Sequence, residues 1–136
     1  MPITGACLCG AIRYEISGPL LDAGNCHCSM CRKAHGAAFA TYANVNAAEF
    51  QWTRGEELVS CYESSPGSGR VFCTVCGSTL GATEDGRIDS VTLGTVERDP
   101  GIKPRSHIFV GSKAPWHDIA DALPRFEEWP PGDGWA

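Results

Sequence analysis

The sequence lacks any apolar run approaching the roughly 20 residues that a membrane helix requires. Its opening, Met1-Pro2-Ile3-Thr4-Gly5, carries neither a charged n-region nor an apolar h-region. No membrane partner is expected, and the cytoplasm is the expected compartment. A basic block is missing as well. Eleven basic residues against sixteen acidic ones give a formal net charge of −5. These charges are spread along the chain without Arg or Lys interleaved with aromatics, which argues against nucleic acid as a partner. Internal repeats and low-complexity segments are absent too.

Glycine and proline are plentiful. Sixteen glycines and nine prolines in 136 residues imply many turns, and short runs with alternate apolar residues point to a mostly β architecture in which helix is a minority. A chain of this length buries roughly two thirds of its unfolded surface, enough for a core, so residues 1–136 are read as a single domain. Residues 11–16 form a strand with one wet face, since Ile12, Tyr14 and Ile16 alternate with Arg13 and Glu15. Further strands are expected over 37–45, 58–63, 88–96 and 105–110, with residues 70–80 a strand running into a C-x-x-C-G turn, an exposed loop over 64–69 and a hairpin turn at 84–87. Asn46 caps a short helical turn with Glu49 three residues on. The aromatics of the tail, Trp116, Phe126, Trp129 and Trp135, are expected to cap the core.

Eight cysteines dominate the chemistry. With no secretory signal at its opening, the chain is expected in a reducing compartment, which weighs against a disulfide framework. They also cluster at ligand spacing, as Cys7-x-Cys9, Cys26-x-Cys28-x-x-Cys31 and Cys73-x-x-Cys76, with Cys61 left over as a buried packing residue. The first and last pairs each end in a glycine at the edge of a strand. Together they make a closed four-thiolate zinc site of the structural kind, contributing on the order of 10 kcal/mol or more to folding. The central trio offers three soft ligands and an open position for water or substrate. Cys28 and Cys31 share a face if residues 29–35 start a helix that stops at Gly36, with Cys26 reaching in from the preceding extended segment. His35, one turn beyond Cys31, is a rival fourth ligand that would make this site structural as well. His27 is expected to point away from its flanking cysteines.

With Gly5-x-Cys7-x-Cys9-Gly10, Cys26-His27-Cys28-x-x-Cys31-Arg32 and Phe72-Cys73-x-x-Cys76-Gly77-Ser78 in place, the chain resembles the glutathione-dependent formaldehyde-activating (GFA) family, which includes centromere protein V. Gly94-Thr95-Val96-Glu97 and the segment from His107 to Trp116 are similar to later segments of that family. The resemblance implies a β-tent of stacked antiparallel sheets with a short helix. It implies two zinc ions per chain, a structural one on Cys7, Cys9, Cys73 and Cys76 and a catalytic one on Cys26, Cys28 and Cys31. The implied activity is that of a carbon-sulfur lyase, adding glutathione to formaldehyde to give S-hydroxymethylglutathione. The partners would be a small thiol and a small aldehyde. A thiol bound at the open position of such a centre loses its proton and becomes a nucleophile at neutral pH. His27, His35 and His107 are the candidates for handling that proton. The alternative is a zinc module that binds a protein or a thiol without turnover.

Overall fold

The computed structural model describes residues 1–131. Its strands are β1 (Ile3–Ala6), β2 (Arg13–Ile16), β3 (Asp22–Cys26), β4 (Ala40–Asn44), β5 (Phe50–Arg54), β6 (Val59–Ser65), β7 (Ser68–Cys73), β8 (Thr79–Glu84), β9 (Arg87–Thr92) and β10 (His107–Ile108), with helix α1 (Ser29–His35) between β3 and β4. They form a three-stranded sheet, β1-β2-β5, and a seven-stranded sheet in the order β10-β3-β4-β9-β8-β7-β6. The chain is thus mostly β, as its turn-rich alternating sequence implies. One pairing departs from antiparallel: β10 runs parallel to β3, with His107 opposite Asn25 and Ile108 opposite Cys26.

The core lies where the alternate residues of both sheets meet. Tyr14 and Ile16 of β2 pack with Ala23, Ala43, Val71, Leu80 and Val91 of the larger sheet. Ile12 and Ile16 are fully buried, and such a side chain contributes about 1.5–3 kcal/mol on leaving water. Tyr14 stacks on Phe50 with ring centroids 5.2 Å apart and shares a 2.8 Å hydrogen bond with Thr95 Oγ1. Gly5, its cross-strand neighbour, has to be glycine because a Cβ there would overlap the Tyr14 ring.

The same alternation gives the larger sheet a second, polar face. Tyr42 pairs with Thr92, Asn44 with Ser90, and Ala82 with both Ser90 and Arg70. These residues therefore line up across β4, β9, β8 and β7 on the side away from Ala43, Val71 and Val91.

Several expected elements are shorter or differently placed. Residues 64–69 are a tight hairpin rather than a loop: Ser65 pairs with Ser68 around Pro66-Gly67, and Gly67 takes a φ of 81°. The strand expected over 105–110 contracts to His107–Ile108, because Phe109 adopts the left-handed region at φ 55° and starts a 3-10 turn. Likewise β9 stops at Thr92 where residues 93–95 turn. Cys61 is exposed rather than buried, since β6 is an edge strand whose middle residues 61–63 are exposed. Trp116 and Trp129 are 70% and 62% exposed and do not cap the core. Trp135 lies outside the described residues. No helix among the described residues is long and apolar enough to cross a membrane.

Candidate metal centres and the cavity beside them

Two turns bring the first cluster together. After β1 the chain folds back with Gly10 N–H on the Cys7 carbonyl (3.1 Å) and Ile12 N–H on Cys7 Sγ (3.3 Å). After β7 it repeats the device: Gly77 N–H bonds to the Cys73 carbonyl (2.9 Å), and the amides of Val75 and Cys76 point at Cys73 Sγ (3.3 and 3.5 Å). Both turns need positive φ, 78° at Gly10 and 80° at Gly77, which explains the glycine following each cysteine pair. Leu8 N–H donates to Ser78 Oγ at 2.8 Å, locking one turn against the other. The sulfurs of Cys7, Cys9, Cys73 and Cys76 all lie within 4.8 Å of one another. A tetrahedral ion with bonds of about 2.3 Å sets its sulfurs about 3.8 Å apart. Cys7 to Cys9 is 3.6 Å and Cys9 to Cys73 is 3.9 Å, so the cluster fits such an ion without rearrangement. The Ser78 hydroxyl, bonded to Cys76 Sγ at 3.2 Å, brings that thiol down to about 5, favouring the thiolate a metal requires.

The second cluster joins the end of β3 to the start of α1. Cys28 is the N-cap of the helix, and its sulfur accepts from Cys31 N–H at 3.2 Å. The helix ends at Gly36, where φ is 59° and the glycine N–H closes on the Arg32 carbonyl. Cys26, Cys28 and Cys31 place their sulfurs within 4.8 Å of one another, and no His35 nitrogen joins that group. The Cys26 and Cys31 thiols hydrogen-bond to Cys28, holding it down to about 2, while donation to Cys28 pushes Cys26 well above the usual thiol range. One thiolate that draws on two neighbouring thiols is a set of donors suited to a soft divalent cation.

A cavity of about 590 Å³ opens beside this trio and is lined by all three of its cysteines. None of the four cysteines of the first cluster lines it. Its floor is the polar face of the larger sheet, including Tyr42, Asn44, Arg70 and Ser90, and its walls include His35 of α1 together with Phe109 and Trp129. Tyr42 lies across β3 because residue 24 is glycine: a Cβ there would sit 2.7 Å from the Tyr42 hydroxyl. Burial, with Cys26 nearby, raises the Tyr42 hydroxyl well above its ordinary value. Arg70 Nη1 donates to Cys31 Sγ at 3.6 Å, bringing a guanidinium against the trio.

The histidines divide. His27 is fully buried and its Nε2 lies 2.9 Å from His107 Nδ1. Its side chain is aimed away from the flanking cysteines, as expected of an extended segment, and neither His27 nor His107 lines the cavity. Burial brings His27 down to about 4, so it is neutral near pH 7. His35 does line the cavity, and burial with Arg70 nearby lowers its pKa while Cys28 opposes the shift. Arg70 and Tyr42 are not among the site residues that the sequence motifs offer. The alternation of residues 68–73 reveals that Arg70 faces away from the core, but not that Cys31 stands there.

A mostly β protein with two separate thiol clusters, one held between two turns and one open to a cavity, is defined by these features. The chain belongs to the family described as "Glutathione-dependent formaldehyde-activating enzyme", whose model matches residues 2–112. A Halomonas elongata protein whose name carries the same description is 30% identical over 129 residues, covering 88% of this chain and 82% of its own. The crystal structure of a Rhodobacter sphaeroides protein is similar with a TM-score of 0.54 and 29% identity, covering 75% of this chain and 92% of that one.

Proposed function

We propose that the chain is a single zinc-binding domain and a carbon-sulfur lyase acting on a thiol-aldehyde adduct, with glutathione and formaldehyde as the pair. The observation that carries this reading is the asymmetry of the clusters. Cys7, Cys9, Cys73 and Cys76 make a closed set between two turns, whereas Cys26, Cys28 and Cys31 open onto a cavity large enough for a small thiol. Zinc held by the trio would supply a Lewis-acid position that acidifies a bound thiol.

The remaining chemistry falls to the chain's own side chains. Adduct formation joins the thiol sulfur to the aldehyde carbon, moves the thiol proton away and delivers one to the carbonyl oxygen. Cleavage is the reverse. His35 lines the cavity and is neutral at pH 7, so it can take the thiol proton and return it to the oxygen. Arg70, against Cys31, supplies positive charge where the oxygen becomes anionic. His27 and His107, buried away from the cavity, take no part in that transfer.

The test is exchange spectroscopy by NMR on glutathione and formaldehyde, with and without zinc-loaded protein. The expected result is faster formation and breakdown of S-hydroxymethylglutathione that is abolished by Cys28→Ser. Exchange no faster than the uncatalysed rate would overturn the lyase reading, and tight glutathione binding in that case would leave a thiol-binding protein.

A further inference from the structure

We propose that Asp121 is a positioning residue for the three-thiol centre, acting through the buried pair His107 and His27 to hold the Cys26-His27-Cys28 segment from behind. This rests on the reading above that the trio holds a metal. A continuous line of contacts runs from surface to centre. Asp121, with its side chain 49% exposed, receives His107 Nε2 at 3.0 and 3.2 Å on its two oxygens. His107, 2% exposed, meets His27 Nε2 through its Nδ1 at 2.9 Å. His27 is the residue between two of the three ligands.

The chemistry of the donors fixes the direction of the line. An ionised carboxylate can only accept, and the bond from His107 holds the Asp121 carboxyl below its ordinary range. His107 Nε2 therefore donates to Asp121, and in a neutral His107 ring that leaves Nδ1 as an acceptor, to which His27 Nε2 donates. His27 Nδ1 is then a bare lone pair. It is buried and has no partner among the described residues. Reversing the direction would put a lone pair against the carboxylate and strand a buried N–H, the costlier arrangement.

Each end of the line is held. Leu123 N–H donates to Asp121 Oδ1 at 3.0 Å, and Arg125 Nη2 donates to the carbonyls of Ile119 and Asp121 at 3.0 and 3.1 Å. His107 exchanges backbone bonds with Pro124 and Phe126, both 2.9 Å, and His27 N–H bonds to the Ile108 carbonyl at 2.9 Å. The segment that supplies Asp121 lies beyond residue 112, where the family match ends. With the His27 ring fixed, the backbone on either side of it, which carries the Cys26 and Cys28 sulfurs, is fixed too. Partners that orient ligands in this way are worth about 10–100-fold in metal affinity.

The experiment uses the full chain loaded with two metals, comparing the parent with Asp121→Ala and Asp121→Glu. Histidine ring nitrogens are read by 15N NMR. Each cluster's metal affinity is read by chelator competition, and cobalt put in place of zinc at the trio reports its thiolate geometry by absorption. In the parent both rings should carry their proton on Nε2. Asp121→Ala should mix the tautomers, shift the cobalt-thiolate bands and weaken the trio's metal about tenfold, while the four-thiol cluster and the circular dichroism stay unchanged. Asp121→Glu should restore much of the loss. Nδ1-protonated rings in the parent, an unchanged trio in Asp121→Ala, or equal weakening of both clusters would each overturn the proposal. A parent whose trio takes up no metal would overturn the reading beneath it as well.

Discussion

Arg70 Nη1 and Cys31 Sγ stand 3.6 Å apart, a guanidinium on β7 donating to a sulfur of the three-thiol cluster on α1. Charge at that position should matter more than bulk, because the aliphatic stem could be replaced while the cation could not. Arg70→Met is expected to keep both metals and the fold, and to lower kcat/KM by about 10–100-fold, as loss of a charge-assisted hydrogen bond of about 1.5–3 kcal/mol requires. Arg70→Lys should recover part of this, since an ammonium restores charge but not the planar fork. Steady-state rates with the thiol-aldehyde adduct decide it. An Arg70→Met protein as efficient as the parent would remove Arg70 from the chemistry.

The two clusters should fail differently. Cys73 belongs to the closed set that ties the turn after β1 to the turn after β7, so Cys73→Ser should unfold or aggregate the chain. Cys28→Ser should lose one metal of two and all activity while the circular dichroism stays native. Metal analysis of the purified reduced proteins gives the count. One ion in the parent, or a Cys73→Ser chain as stable as the parent, contradicts the four-plus-three division.

How far the sequence reaches can be judged from particular residues. Spacing sufficed to bring the sulfurs together within each pair and within the trio, because C-x-C and C-x-x-C fix sulfurs within one turn of each other, and the glycine after each pair reports the positive φ that the turn needs, whereas the meeting of Cys9 with Cys73 spans 64 positions. Gly36 marked the helix end for the same local reason. What failed depends on partners distant in the chain. Cys61 has an ordinary strand context, and its exposure follows from β6 being last in the sheet order. Arg70 meets Cys31 across 39 positions, and His27 meets His107 across 80, pairings that no local pattern encodes. Trp116 and Trp129 depart from the expected core cap because hydrophobicity alone does not say whether a ring covers the core or, like Trp129, a cavity wall.

Tyr14 should make stability fall at high pH. Burial raises its phenol from the ordinary 10.0 to about 12, with Thr95 opposing and Glu97 adding to the shift. The folded state therefore holds the proton more tightly than the unfolded state. Its contribution is full below about pH 10 and is lost as pH climbs through about 12, some two units at about 1.4 kcal/mol each, or roughly 3 kcal/mol. Urea unfolding of the parent and of Tyr14→Phe, at about pH 9 and about pH 11.5, isolates this residue. The parent should lose more stability than the phenylalanine variant over that interval. Parallel losses in the two proteins would mean that Tyr14 does not titrate with folding.

His35 separates the catalytic reading from the purely structural one. As a fourth ligand, its removal would release the metal of the trio. As a cavity base, its removal would leave two ions bound and remove a proton acceptor. The structure keeps its nitrogens out of the sulfur group, so His35→Ala is expected to retain both ions and the native circular dichroism, with kcat about 100-fold lower. The pH profile adds a readout that mere loosening would not change. Burial lowers the His35 pKa below the ordinary 6.5, so the ring is a competent base above that lowered value. The activity of the parent should decline as pH falls through it and the ring becomes protonated, and that acid limb should be missing from His35→Ala. Loss of a metal ion from the variant would make His35 a ligand. An unchanged acid limb would assign the proton transfer to another group in the cavity.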